Sequence, residues 1–230
     1  MGKNWWDEGI PEEGEASSGG SGDRYAWWQR ELPNRFFVKS GQKREITFVD
    51  EKCFRIWEHQ FWVDGKPGFA TCTKKIRGHC PLCDAENKAY SAGFFTVIDH
   101  TGYVDREGIE HKDFLSLLPA KHFTLDLLRN KHEMHGGLEG KRFLVCRTSN
   151  PKAATVGDDW NFMRDETLPA EAEALDYPSI LEPLSEDDMK KIVKNCEWRG
   201  KKIVAITTSG SGYREDAEYD DEDDSGTVPF

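Results

Sequence analysis

Much of what marks common enzyme and membrane classes is missing from this chain. No apolar run approaches the ~18 residues needed to cross a bilayer, so no membrane association is expected. There is no G-x-x-x-x-G-K-[ST] phosphate loop and no H-E-x-x-H metalloprotease helix. The Gly-Ser-Gly at 210–212 lies in low-complexity sequence, too polar for a nucleotide loop. The start carries no signal-peptide pattern, and Trp6 stands where N-myristoylation wants Ser or Thr. Acids collect in low-complexity stretches rather than as paired carboxylates, and His100, His111, His122, His132 and His135 are scattered. Internal repeats are absent. Nothing builds an active site, so a binding protein rather than an enzyme is expected. Hydrophobic residues make up only 37% of the 230, while 12% are aromatic. That balance implies a modest core, solvated tails, and rings left over for a ligand.

Six cysteines are present, at 53, 72, 80, 83, 146 and 196. With no secretory start they imply a reducing, cytoplasmic setting, where clustered cysteines mean metal more often than disulfide. Cys80-Pro-Leu-Cys83 brings two sulfurs to one point around a tight turn. Cys72 lies eight positions upstream and His59 thirteen before that. Together they make a Cys3His set, the closed shell of one structural Zn2+ per chain. Two rival readings stand beside it: reduced thiols that happen to sit close together, and a redox-active C-x2-C. The latter usually opens a helix after an apolar strand, whereas the approach here, Lys74-Lys75-Ile76-Arg77-Gly78-His79, is polar and turn-like. His79 is the alternative fourth ligand. It adjoins Cys80, and neighbours rarely both reach one metal, so His59, inside a strand-like run, is preferred.

Charge is segregated. Residues 1–23 hold six acids and one base, and residues 24–88 thirteen bases and eight acids. Residues 165–190 hold nine acids and one base, and residues 215–230 eight acids and no base. The net −11 therefore hides a basic block around the cysteines, and a local basic face suffices for nucleic-acid binding.

Residues 1–23 read as a flexible acidic leader, with the folded part starting near Tyr25-Ala26-Trp27-Trp28 and running to 208. Short strands are predicted over Arg35–Ser40, Arg44–Val49, Phe54–Val63, Phe69–Cys72, Gly93–Ile98, Asp113–Leu118, Arg142–Cys146 and Asp159–Met163. Asp64-Gly65 supplies a turn. One helix is expected between Pro119 and His135, with Phe123, Leu127, Leu128 and Met134 at helical spacing and a stop at Gly136-Gly137. A second, near 185–196, opens on Ser185-Glu186-Asp187-Asp188 and carries Met189, Ile192, Val193 and Cys196 on one face. The fold class implied is mainly β with minor α: an OB-like Greek-key barrel elaborated by a zinc knuckle near 59–83, with flexible acidic termini.

Extended, the 54–63 strand puts Arg55, Trp57, His59, Phe61 and Val63 on one face. Aromatics flanked by cations are what single-stranded nucleic acid needs, since bases stack on rings and cations follow phosphates. Trp57 and Phe61 are the candidate stacking rings. Arg35, Lys39, Lys43, Arg44 and Arg55, with Lys74, Lys75 and Arg77 on the knuckle, are the candidate backbone contacts. The tail 209–230 packs acids at Asp220, Asp221, Glu222, Asp223 and Asp224 and ends on Phe230, an acidic run closed by an apolar anchor for protein partners.

The order His59-x12-Cys72-x7-Cys80-Pro-x-Cys83 within OB-like strands resembles the zinc-containing single-stranded DNA-binding proteins of T-even phages. The resemblance covers roughly residues 35–165 and implies that His59, Cys72, Cys80 and Cys83 ligate zinc beside a DNA cleft. The ending, Asp-Asp-Glu-Asp-Asp-Ser-Gly-Thr-Val-Pro-Phe, is similar to the acidic tips of single-stranded DNA-binding proteins that recruit replication enzymes. Both resemblances imply a phage-type protein that coats single-stranded DNA in replication, recombination and repair, in a host cytoplasm. Its tail is then expected to meet a DNA polymerase, helicase or primase. This chain departs from that family in opening acidic, with only Lys3 basic before Arg24, and in a shorter spacing between its first two cysteines. The rival reading is a zinc-stabilised regulatory or protein-interaction module of transcription-factor type, with no strand-coating role.

Overall fold

The structure, a computed structural model, describes residues 6–8, 34–63, 66–104, 108–150, 152–195, 197–198 and 201–202. Most of the expected leader, the Tyr25–Trp28 start, the Asp64-Gly65 turn, Cys196 and the tail 209–230 with its acids and Phe230 lie outside the described residues.

The alternating segments become strands. First come β1 (Trp6–Glu8), β2 (Lys43–Phe48), β3 (Cys53–Val63) and β4 (Lys66–Thr71), then one-turn helices α1 (Lys74–Arg77) and α2 (Pro81–Asp84). They are followed by β5 (Tyr90–Asp99), β6 (Tyr103–Val104), β7 (Glu110–His111), β8 (Phe114–Ala120), α3 (His122–His135), β9 (Lys141–Cys146) and β10 (Asp159–Asp165). The last described elements are α4 (Tyr177–Ile180), α5 (Glu186–Asn195), β11 (Glu197–Trp198) and β12 (Lys201–Lys202). No helix among the described residues is long and apolar enough to cross a membrane.

The architecture is mainly β with minor α. Antiparallel ladders join β10 to β9, β9 to β2, β2 to β5 and β5 to β3, with β8 along the other edge of β5. Strands β3 and β4 form a hairpin with His59 opposite Ala70. Among the described residues β8 and β10 do not pair with each other. The extended segment 34–38 reaches from one side to the other: Phe36 N–H donates to Leu117 O and Val38 N–H to Thr155 O, each at 2.8 Å. The strand expected over Arg35–Ser40 is thus a single parallel bridge at Arg35, because its amides divide between two elements instead of forming one ladder.

The main core lies between the sheet and α3, with Ile46, Phe48, Phe95, Val97, Leu118, Leu128, Phe143, Val145 and Trp160 buried. Phe48 meets Phe95 and Phe143 edge to face at 5.4 and 5.8 Å, an arrangement that adds quadrupole attraction to area burial. Helix α3 turns a different face inward than its spacing suggested. Thr124, Leu125 and Leu128 are buried, while Phe123 and Met134 are exposed. Gly93 leaves room for this orientation, since a Cβ there would lie 2.7 Å from Leu125 Cδ2. Helix α5 follows its pattern: Asp188 N–H donates to Ser185 Oγ (3.1 Å) and Met189, Ile192 and Val193 are buried.

A third cluster packs Tyr177 and Leu181 onto Ile56, Ala92 and Phe94. Tyr177 O–H donates to the Asp50 carboxylate, whose pKa burial pushes up. At the sheet edge β1 pairs in parallel with Cys53–Arg55. Residues 6–8 thus form a short parallel edge strand.

Candidate metal centre

Four side chains from four local structures converge on one point. His59 comes from the middle of β3, Cys72 from the residue after β4, Cys80 from just before α2 and Cys83 from within it. One ligand atom from each lies within 4.8 Å of the other three. His59 Nε2 is 3.3 Å from Cys80 Sγ and 3.6 Å from Cys83 Sγ, and Cys72 Sγ is 3.6 Å from Cys83 Sγ. The cluster could hold one metal ion. His79 lies outside it, exposed, with Nε2 3.3 Å from Glu186 and Nδ1 3.3 Å from Arg77 O.

Local backbone chemistry builds this convergence. The hairpin is extended by Cys72 N–H donating to Trp57 O at 2.8 Å, which lays Cys72 beside β3. Gly78, with φ +79, ends α1 in the left-handed region and turns the chain back. Thr73 Oγ1 closes that turn by donating to His79 O (2.8 Å). Pro81 opens α2 at a position where its missing N–H costs nothing. Leu82, fully buried, pins the knuckle among Phe61, Met189 and Ile192.

The imidazole is oriented from behind. Asn87, also fully buried, places Oδ1 3.3 Å from His59 Nδ1 and donates Nδ2–H to Gln60 O at 3.1 Å. An acceptor at Nδ1 puts the ring proton there and leaves the Nε2 lone pair facing the sulfurs, the usual outer-shell arrangement around a metal-binding histidine. Asn87 was not legible in the sequence, where it is one polar residue among several after Cys83.

Close sulfurs cannot all ionise without a cation. The hydrogen bond from Cys72 holds the Cys80 thiol far below its ordinary pKa. The same hydrogen bond, with burial, drives Cys72 up, and burial raises Cys83. A divalent ion bound there would supply the missing positive charge.

Around the centre, β3 divides. Its Arg55, Trp57, His59, Phe61, Val63 face is open at the start and closed from His59 onward by the knuckle and α5. Trp57 is 41% exposed, with Lys75 Nζ 5.2 Å from its ring centroid. Arg55 donates to Ser91 Oγ at 2.9 Å, and Lys74 and Lys75 are exposed beside it. Phe61 is corrected: it is fully buried, packed against Gly68, and cannot stack on a base.

The remaining cations are not gathered here. Arg35 lies on the opposite face, bidentate to Glu58 at 2.9 and 2.7 Å and 3.7 Å over Phe69. Arg77 donates to Leu184 O at 3.1 Å, tying α1 to the approach to α5. Arg44 pairs with Asp99 at 2.5 Å. Ile46 sits opposite Asp99 while Trp57 sits opposite Ser91. That separates Ile46 from Trp57 by about eight residues, roughly 26 Å, of β5, and Arg44 and Lys43 lie further along β2.

No protein-family model and no curated protein matches this chain. Its reading rests on the geometry just described.

Proposed function

We propose that the chain is a single-stranded DNA-binding protein that coats DNA without catalysing a reaction, with Zn2+ as a structural brace. The observation that carries this reading is the open half of β3: a half-exposed Trp57 capped by Lys75, with Arg55 two residues away on the same face. A ring with cations at its rim binds bases by stacking at roughly 1–3 kcal/mol each, while the cations meet phosphates. The resemblance to T-even phage single-stranded DNA-binding proteins points the same way and supplies the expected setting: phage replication, recombination and repair in a host cytoplasm. The acidic tail ending in Phe230 is the element that would recruit a polymerase, helicase or primase, as such tails offer a charged, apolar-tipped ligand.

Zinc is the metal proposed because three soft sulfurs and one imidazole form its usual closed structural shell. Tetrahedral bonds of about 2.3 Å to sulfur and 2.0–2.1 Å to nitrogen imply ligand separations of about 3.8 Å for sulfur pairs and 3.5 Å for sulfur–nitrogen. The separations of 3.3–3.6 Å are close to that. Held there, the ion would lock His59 and the knuckle, and with them the position of Lys75 over Trp57. Its role is folding, and every DNA contact belongs to side chains.

Titration with oligo-dT, monitored by quenching of the eight tryptophans, tests the reading. Quenching at low ionic strength that weakens with salt is expected, with about 5- to 100-fold weaker binding in Trp57→Ala. No quenching by the wild-type chain at low salt overturns it in favour of the zinc-stabilised interaction module.

A further inference from the structure

Beside Trp57 the sheet opens into a recess of about 200 Å³ lined by Cys53, Arg55 and Ser91 from β3 and β5 and by His122, Leu125, Asp126 and Arg129 from α3. Its floor is apolar, since Cys53 and Leu125 are buried. Its walls carry donors of several kinds. Arg55 donates to Ser91 Oγ, so the serine oxygen serves as acceptor there and its own O–H proton remains available to a ligand. From the helix, Asp126 holds His122 at 3.3 Å and Arg129 at 3.5 Å, which fixes both at the rim. Among the described residues, the lining sets two guanidinium groups beside one carboxylate. Planar guanidinium forks with a hydroxyl donor are a donor set suited to a tetrahedral oxyanion.

We infer that this recess is a phosphate site and, resting on the single-stranded DNA reading above, that it takes a backbone phosphate of the strand whose base stacks on Trp57. Arg55 and Trp57 are two residues apart on one strand face, about 7 Å, a separation of the order of one nucleotide of extended backbone. Arg129, Ser91 and His122 thereby become ligand contacts, although nothing in the sequence singles them out. Asp126 acts in the opposite sense: it pairs with Arg129 and repels the phosphate that Arg129 would hold.

This opposition makes the site testable with two variants of opposite sign. Oligo-dT binding is measured across a series of salt concentrations for the wild type, Arg129→Gln and Asp126→Asn, with thermal unfolding of each as a check on folding. Arg129→Gln is expected to weaken binding about five- to tenfold at low salt and to make the log–log salt slope shallower by about 0.7, the value for one phosphate contact on a single strand. Asp126→Asn is expected to tighten binding about threefold or more, a gain that damage to the fold would not produce. In parallel, inorganic phosphate is titrated into labelled protein and monitored at the Ser91 amide and Arg129 side-chain resonances. If the wild type binds oligo-dT but both variants bind like it, the recess is not a phosphate site while the DNA reading stands. If the wild type fails to bind oligo-dT at all, the DNA reading falls. Phosphate shifts at Ser91 and Arg129 then assign the recess to free phosphate, and their absence overturns it too.

Discussion

The sharpest test of the metal centre is Asn87, a residue that touches no metal. Its side chain is fully buried, with Oδ1 3.3 Å from His59 Nδ1 and Nδ2 3.1 Å from Gln60 O. In Asn87→Ala the His59 Nδ1–H and the Gln60 carbonyl both lose their partner. Leaving a buried donor unsatisfied costs about 1–3 kcal/mol, and the Gln60 carbonyl, less enclosed, adds about 1. The expected destabilisation is about 2–4 kcal/mol, or a Tm lower by about 5–15 °C for a chain of this size. Loss of the outer-shell partner should also lower metal affinity about 10- to 100-fold. Asn87→Asp separates the two effects. Its carboxylate still accepts from Nδ1–H, so metal affinity should stay near wild type, while the lost donor to Gln60 O still lowers Tm. Competition against a chromophoric zinc chelator reads affinity, and calorimetry reads Tm. If Asn87→Ala holds metal as tightly as wild type, the ring is not set by Asn87 and the proposed tautomer of His59 is wrong.

Chelation should act locally. Removing the ion leaves three close sulfurs around a knuckle that shares its apolar cluster with α5. Amide exchange should therefore accelerate in 72–87 and 186–195 while β2, β5 and β9, whose core is separate, stay protected; uniform loss of protection would refute this. In Gly68→Ala the new Cβ would stand 2.3 Å from the Phe61 ring, so about 1–3 kcal/mol of overpacking is expected in a urea melt; a neutral result would mean that Phe61 does not cover the hairpin. Deleting residues 215–230, which hold eight acids, should tighten oligo-dT binding if tail and cleft compete; unchanged affinity at low salt excludes that competition.

The legible part of the fold is the part governed by local pattern. Period-two alternation identifies β2, β3, β9 and β10 within a residue or two, and Ser185 with Met189, Ile192 and Val193 announces α5 through its cap and its apolar face. The four residues of the cluster were readable because a C-x2-C spacing constrains two sulfurs by covalent geometry alone, and a strand-borne histidine is the natural complement. What escaped depends on tertiary placement. Phe123 and Met134 share helical spacing with Leu127, yet α3 turns Leu125 inward because Gly93, some thirty residues away in sequence, leaves room for it. Arg35 looked like a backbone contact among neighbouring cations, but buried Glu58 on the far face of β3 claims it. Asn87 carries no spacing signal, since it meets His59 only through what the fold sets beside it.

The division of β3 shows what a metal adds to such a sheet. Alternation states which side chains share a face but not how far along the strand that face stays covered. On β3 the boundary falls between Trp57 and His59, and it falls there because His59 is a cluster ligand. From His59 onward the knuckle and α5 pack over Phe61 and Val63, so an aromatic in that half is core. One step earlier the same face is open, and α1 sets Lys75 over Trp57 instead of burying it. A chain short of apolar residues cannot readily hold so abrupt an edge by packing alone, because the covering elements α1 and α2 are single turns with little to bury. Ligation of one ion would join Cys80 and Cys83 of the knuckle to His59 and Cys72 of the hairpin. On that account a bound metal would hold the edge of the core beside the exposed ring of Trp57.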